Sequence, residues 1–111
     1  MIHIIREKAA ADQLEQMLEE LNPMIKLAVD IRRGILAGGG QMHADCEAIL
    51  LEDGSIQEDI WGANWIPSSQ AIEFEALINI RPRQQNRSMV IQDNVISSKV
   101  EKVVRKLLED S

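Results

Sequence analysis

Gly38-Gly39-Gly40-Gln41-Met42-His43-Ala44-Asp45-Cys46-Glu47-Ala48-Ile49-Leu50-Leu51-Glu52 is the stretch whose reading decides the architecture. Before it, the inward positions of Ile35-Leu36-Ala37 are odd. Beyond the glycines the small and apolar set is Ala44, Cys46, Ala48 and Leu50, all even. Alternation with period two reads as a strand from Gln41 to Glu52, and the change of parity calls for one extra residue at the glycines. A glycine bulge supplies it, because glycine tolerates the positive φ involved. The triple glycine lacks the GxGxxG spacing, the P-loop lysine and a following helix that a phosphate cradle would show.

Working outward, Asp53-Gly54-Ser55 reads as a turn into a strand from Ile56 to about Trp61. Pairing Glu52 with Ile56 gathers Cys46, Leu50 and Ile60 on one face and His43, Asp45, Glu47, Asp59 and Trp61 on the other. Upstream, Met24 to Ile31 alternates as a half-buried strand, and Arg32-Arg33-Gly34 is a hairpin turn into Ile35. Ile2 to Ile5 reads as a first strand and Ala9 to Leu21 as a helix with Leu14, Met17, Leu18 and Leu21 on one face, stopped by Asn22-Pro23. Downstream, Gly62 to Ser69 is a loop by composition and Ala71 to Ile80 an alternating strand. Met89 to Gln92 could form a last short strand. Asp93 caps a final helix with an apolar stripe through Ile96, Val100, Val103, Val104, Leu107 and Leu108. The expected fold is one α+β domain over residues 1–111, a mainly antiparallel sheet with an N-terminal and a C-terminal helix packed on its apolar face.

Composition narrows the function classes. A formal charge of -6 over 111 residues argues against general nucleic-acid binding, which needs a basic face. The lone Cys46 fits a reducing, cytoplasmic setting and excludes an internal disulfide. No run has the length of a membrane span, and the N-terminal apolar run is too short for a signal peptide.

Charge is unevenly distributed. Between Gly34 and Ile80 there is no Lys or Arg, and then Arg81, Arg83 and Arg87 arrive within seven residues. On the strand reading, the sheet face opposite the helices collects Asp30, His43, Asp45, Glu47, Asp59, Glu73, Glu75, Asn79 and Arg81. This is either a shallow site for a small charged ligand or an ordinary solvated sheet face. Arg81, Arg83 and Arg87 suit bidentate recognition of a carboxylate or phosphate. Equally, they could neutralise Glu73, Glu75 and Asp59 and hold their loop against the sheet. Trp61 and Trp65 could wall a pocket or anchor the core rim. His43, Asp45 and Glu47 with Asp59 could ligate a divalent metal for hydrolysis, although a second His is lacking. Cys46 faces the packed side as an inert thiol.

Ala28-Val29-Asp30-Ile31, Gly34 through Gly40, His43 to Glu47, Gln57 with Asp59, Trp61-Gly62-Ala63, and Asn79 to Arg83 with Asn86-Arg87-Ser88 carry a resemblance over nearly the whole chain. It resembles a small family of microbial conserved hypothetical proteins, a domain of unknown function. The resemblance implies no activity, cofactor or catalytic residue. The leading expectation is a binding module for a small anionic ligand or a protein partner, with no membrane association. A metal-assisted hydrolase and a structural homodimer are the alternatives.

Overall fold

The computed structural model describes residues 1–110. The chain runs β1 (His3–Ile5), α1 (Ala11–Leu18), β2 (Ile25–Asp30), β3 (Ile35–Gly38), α2 (His43–Glu52), β4 (Ile60–Ile66), β5 (Ala71–Glu73) and α3 (Asn94–Leu108). Short 3₁₀ turns occupy Gln57–Asp59, Leu77–Asn79 and Pro82–Gln84. The five strands form one antiparallel sheet in the order β1-β3-β2-β4-β5, so the α+β class holds.

The β2–β3 hairpin forms where its turn residues place it. Gly34 takes φ +68, and the Asp30 carboxylate Oδ1 accepts from the backbone N–H groups of Arg32 and Arg33, each at 2.9 Å. An aspartate closing its own turn in this way is a local motif, hence readable from sequence. α3 starts as expected, with the Asp93 side chain accepting from Val95 N at 2.8 Å. α1 also forms, but spans only Ala11–Leu18.

Residues 41 to 52 overturn the strand reading. Gly38 stays in register, opposite both Leu27 and His3, so no bulge is present there. The chain turns at Gly39, φ +106, and enters α2 instead. The buried residues of α2 are Cys46 and Leu50, four apart, whereas Ala44 and Ala48 are exposed. The even-numbered alternation was therefore coincidental, since Ala, Glu and Leu also favour helix. The parity change marks the end of a strand.

Three further expectations change. Gly62 to Ile66, assigned to a loop, belongs to β4, which pairs with β2 from Ile60 to Trp65. The strand Ala71 to Ile80 ends at Glu73, and Met89 to Gln92 contributes only an isolated bridge between Val90 and Glu75.

Apolar clusters lie on both faces of the sheet. One joins Leu27, Val29, Leu36, Trp61, Ala63 and Trp65 to Met17, Val100, Val104 and Leu107. The other joins Ala28, Ile35, Ala37 and Ile60 to Cys46 and Leu50 of α2. The expected polar sheet face is thus replaced by a face that α2 covers. His43, Asp45 and Glu47 belong to the covering helix rather than to the sheet.

Candidate functional site

Where β5 leaves β4, a side chain replaces a strand. β5 pairs only with Asn64 to Ile66, so the edge of β4 is without a strand partner at Gly62. Asn79, fully buried, accepts from Gly62 N at 2.7 Å through Oδ1 and donates to Gly62 O at 3.0 Å through Nδ2. A primary amide carries the donor and acceptor of a peptide group, so it satisfies both backbone groups of an edge residue. Gly62 makes this approach possible, because a Cβ there would lie 2.9 Å from Ile78 Cγ1.

A second asparagine closes the arginine loop. Asn86, only 3 % exposed, donates to Asn79 O at 2.7 Å and Ser88 O at 2.9 Å, and its Oδ1 accepts from Gln92 N at 2.8 Å. Arg81 and Asn86 also exchange both backbone hydrogen bonds, at 2.6 and 3.1 Å, around the turn at Gln85, φ +63.

That framework fixes Arg81 against α2. Its Nε donates to Ile78 O at 2.9 Å, Nη1 to Gln57 O at 2.6 Å and Gln84 Oε1 at 3.4 Å, and Nη2 to Glu47 Oε2 at 3.1 Å. The guanidinium also stands over the Trp61 ring, 5.0 Å from its centroid. Only 10 % of the Arg81 side chain and 12 % of Glu47 is exposed. Burial lowers the Arg81 guanidinium from its ordinary value, and the charges of Glu47 and then Glu58 oppose that shift. A guanidinium has five N–H groups, so these contacts leave one on Nη2. Arg81 is chiefly a clasp, and its expected partners change. Glu47 holds it, while Asp59 pairs with Arg32 Nε at 2.8 Å and Glu73 accepts from Asn64.

Beside this clasp an open depression of about 590 Å³ is lined by Glu47, Gln57, Glu58, Arg81, Arg83 and Gln84, with Ile78 and Ile80 on its apolar wall. Arg83 is exposed and makes no ion pair among the described residues. Glu58, also exposed, makes none either.

Ile78 is shared with a smaller depression of about 190 Å³, reached from the start of α2 and lined by Lys26, Met42, His43 and Leu77 among others. His43 and Glu47 are four apart and so lie on one face of α2. Nε2 of His43 lies 2.7 Å from Asn64 Oδ1 and 3.1 Å from Ala63 O. The Asn64 amide in turn donates to Glu73 Oε1 and Glu75 O, both at 3.3 Å. Burial, first among the causes, lowers the His43 imidazole from its ordinary value.

Of the residues singled out in the sequence, the fold brings Trp61, Asn79, Arg81 and Arg83 together, with His43 beyond Ile78. It separates the others. Asp30 is fully buried in the hairpin turn with Oδ2 unpartnered, Asp45 is exposed in the first turn of α2, and Arg87 is exposed outside the lining of either depression. His43, Asp45 and Asp59 do not converge, and no group of three or more His, Cys, Asp or Glu side chains is placed to hold a metal ion among the described residues. Lys26, Gln57, Glu58, Asn64 and Asn86 were not foreseen as site residues. The Asn79 and Asn86 pair bracketing Arg81 and Arg83 was the available signal, since asparagines that close loops through their amides recur at such positions.

Among the described residues no helix is long and apolar enough to cross a membrane. No curated protein and no solved structure matches this chain. The family model described as "Protein of unknown function (DUF5674)" matches residues 3–107, a span that includes α2, both asparagines and the arginine loop. On that match, the chain belongs to the DUF5674 family.

Proposed function

We propose that this protein is a small binding module whose ligand is a charged small molecule, held between α2 and the arginine loop. One observation carries the reading: Arg83, exposed and without an ion pair among the described residues, lines an open depression whose nearly buried members Arg81 and Glu47 already neutralise each other. A fixed, compensated pair costs no reorganisation when a ligand arrives, and an uncommitted guanidinium is suited to a carboxylate or phosphate. Glu58 on the same lining offers a carboxylate to a cationic group, so a ligand bearing both charges is accommodated. In this reading α1 and α3 form the supporting layer on the far face of the sheet, and the lone, buried Cys46 fits a cytoplasmic setting.

A thermal-shift panel of nucleotides, phosphates, carboxylates and amino acids tests this. At least one member should stabilise the protein, and Arg83→Ala should abolish that shift.

A protein partner is the second reading, favoured by Ile80, 44 % exposed on the wall of this cleft, and by Leu77, 65 % exposed in the lining of the smaller depression that shares Ile78 with it. Exposed apolar side chains next to unpaired charge are a common interface composition. Retention of a binding partner by Arg83→Ala but not by Leu77→Asp would favour it. Hydrolysis by His43, Asp45 and Asp59 gains no support, because Asp59 is committed to Arg32.

A further inference from the structure

The smaller depression carries an inference of its own, independent of how the Arg83 cleft is read. Lys26 of β2 and Asn64 of β4 are directly opposed in the sheet, on the face that α2 covers, and His43 at the start of α2 sits against them. Side chains opposed in this way lie within about 5.5 Å at Cβ. The Asn64 amide nitrogen is engaged by two acceptors, Glu73 Oε1 and Glu75 O, so its oxygen must face His43. Ala63 O is a second acceptor at the same imidazole nitrogen. Facing two oxygens, Nε2 carries the proton, and the neutral ring presents its lone pair at Nδ1. Nδ1 makes no hydrogen bond within the described residues and is not sealed from solvent. The Lys26 ammonium also has no hydrogen-bond or ion-pair partner among the described residues, and Lys26 lines the same depression as His43.

We infer that the Lys26–His43 pocket is a second ligand site, for a small oxyanion that also bears a hydroxyl group. Lys26 supplies the positive charge, and His43 Nδ1 accepts from the hydroxyl. The walls formed by Met42, Ala76 and Leu77 leave few competing polar groups. A volume of about 190 Å³ is room for roughly six water-sized groups, which fits a two- or three-carbon hydroxycarboxylate or a phosphate with its P–OH. A carboxylate without a hydroxyl leaves the imidazole lone pair unused.

The test is a titration of the ¹⁵N-labelled full chain with glycolate, inorganic phosphate or acetate, following the His43 ring nitrogens and the Lys26 side chain by NMR. Saturable shifts at both residues are expected with glycolate, with phosphate or with each, at an affinity at least about fivefold above that for acetate. The responding probe identifies a hydroxycarboxylate or a phosphate source. Lys26→Met should weaken binding at least about tenfold, Lys26→Arg should retain it within a few-fold, and Arg83→Ala should leave it unchanged. No saturable shift with glycolate or phosphate would overturn the inference. So would acetate binding equal to that of the better probe, or undiminished binding by folded Lys26→Met.

Discussion

Asn79 and Gly62 form a two-point amide pair, 2.7 Å in one direction and 3.0 Å in the other, that stands in for the strand missing at the edge of β4. The same asparagine donates to Met89 O at 3.1 Å and accepts Asn86 at its own backbone oxygen. One buried asparagine, through its side chain and its backbone carbonyl, therefore ties the sheet to Asn86 and Met89 at the far end of the arginine loop.

Asn79→Ala should cost about 2–4 kcal/mol, because a buried donor and acceptor on Gly62 lose their partners at roughly 1–3 kcal/mol each, with partial relief from water. Asn79→Asp should fare no better, since a carboxylate cannot donate to Gly62 O or Met89 O. Urea denaturation measures both. A loss below about 0.5 kcal/mol for Asn79→Ala would show that the pair is incidental.

Gly62→Ala should destabilise by about 1–3 kcal/mol, the range for forcing extra volume into a packed site. The added Cβ meets Ala76 and Ile78, so Ala76 to Asn79 must move off β4. Amide NMR shifts should change along residues 76–86 and leave the β2–β3 hairpin unaffected. Changes spread evenly through the sheet would contradict this placement.

Glu47→Gln should cost about 1.5–3 kcal/mol, the worth of a hydrogen bond to a charged group, because Arg81 remains charged in a nearly buried position. Arg81→Lys should not preserve stability. An ammonium has three donors on a single nitrogen and cannot reproduce the guanidinium's reach to Ile78 O, Gln57 O and Glu47 together. Thermal denaturation of the two variants checks this, and wild-type melting by Arg81→Lys would refute the clasp.

His43 makes stability depend on pH in a stated direction. A histidine in the unfolded chain titrates near 6.5, and in the fold burial lowers that value. Below about 6.5 the unfolded chain therefore binds the proton more readily than the folded one, and stability falls with pH. The contribution is fully present above 6.5 and lost as pH drops from there toward the folded pKa. His43→Gln removes it, so the stability difference between wild type and His43→Gln should shrink from pH 7.5 to pH 5.5. Denaturant midpoints at the two values measure it, and a difference that stays constant or grows would be contrary.

What the sequence revealed was local. The β2–β3 hairpin follows from Asp30, Gly34 and the alternation before them, and α3 from Asp93 and its apolar stripe. α2 escaped because its outer surface carries Ala44, Ala48 and Leu51, so the helical period is blurred and an accidental alternation stands out. β4 escaped because Gly62 and Asn64 are turn-forming types. In the fold Gly62 admits the Ala76 to Asn79 segment, and Asn64 orients His43. The same limit applies to the site. Arg81 and Asn79 lie in the stretch whose charge and composition draw attention, but Glu47 is 34 positions from Arg81 and only the turn into α2 brings them together.

The most direct test of the charged-ligand cleft is a calorimetric titration of the best-stabilising ligand into wild type, Arg83→Ala and Arg87→Ala. Arg87 controls for charge alone, because it too is exposed and lies outside the cleft lining. A saturable isotherm for wild type and Arg87→Ala, with affinity reduced at least about tenfold in Arg83→Ala, is the predicted result. Equal binding by all three proteins, or equal loss in both variants, would contradict it.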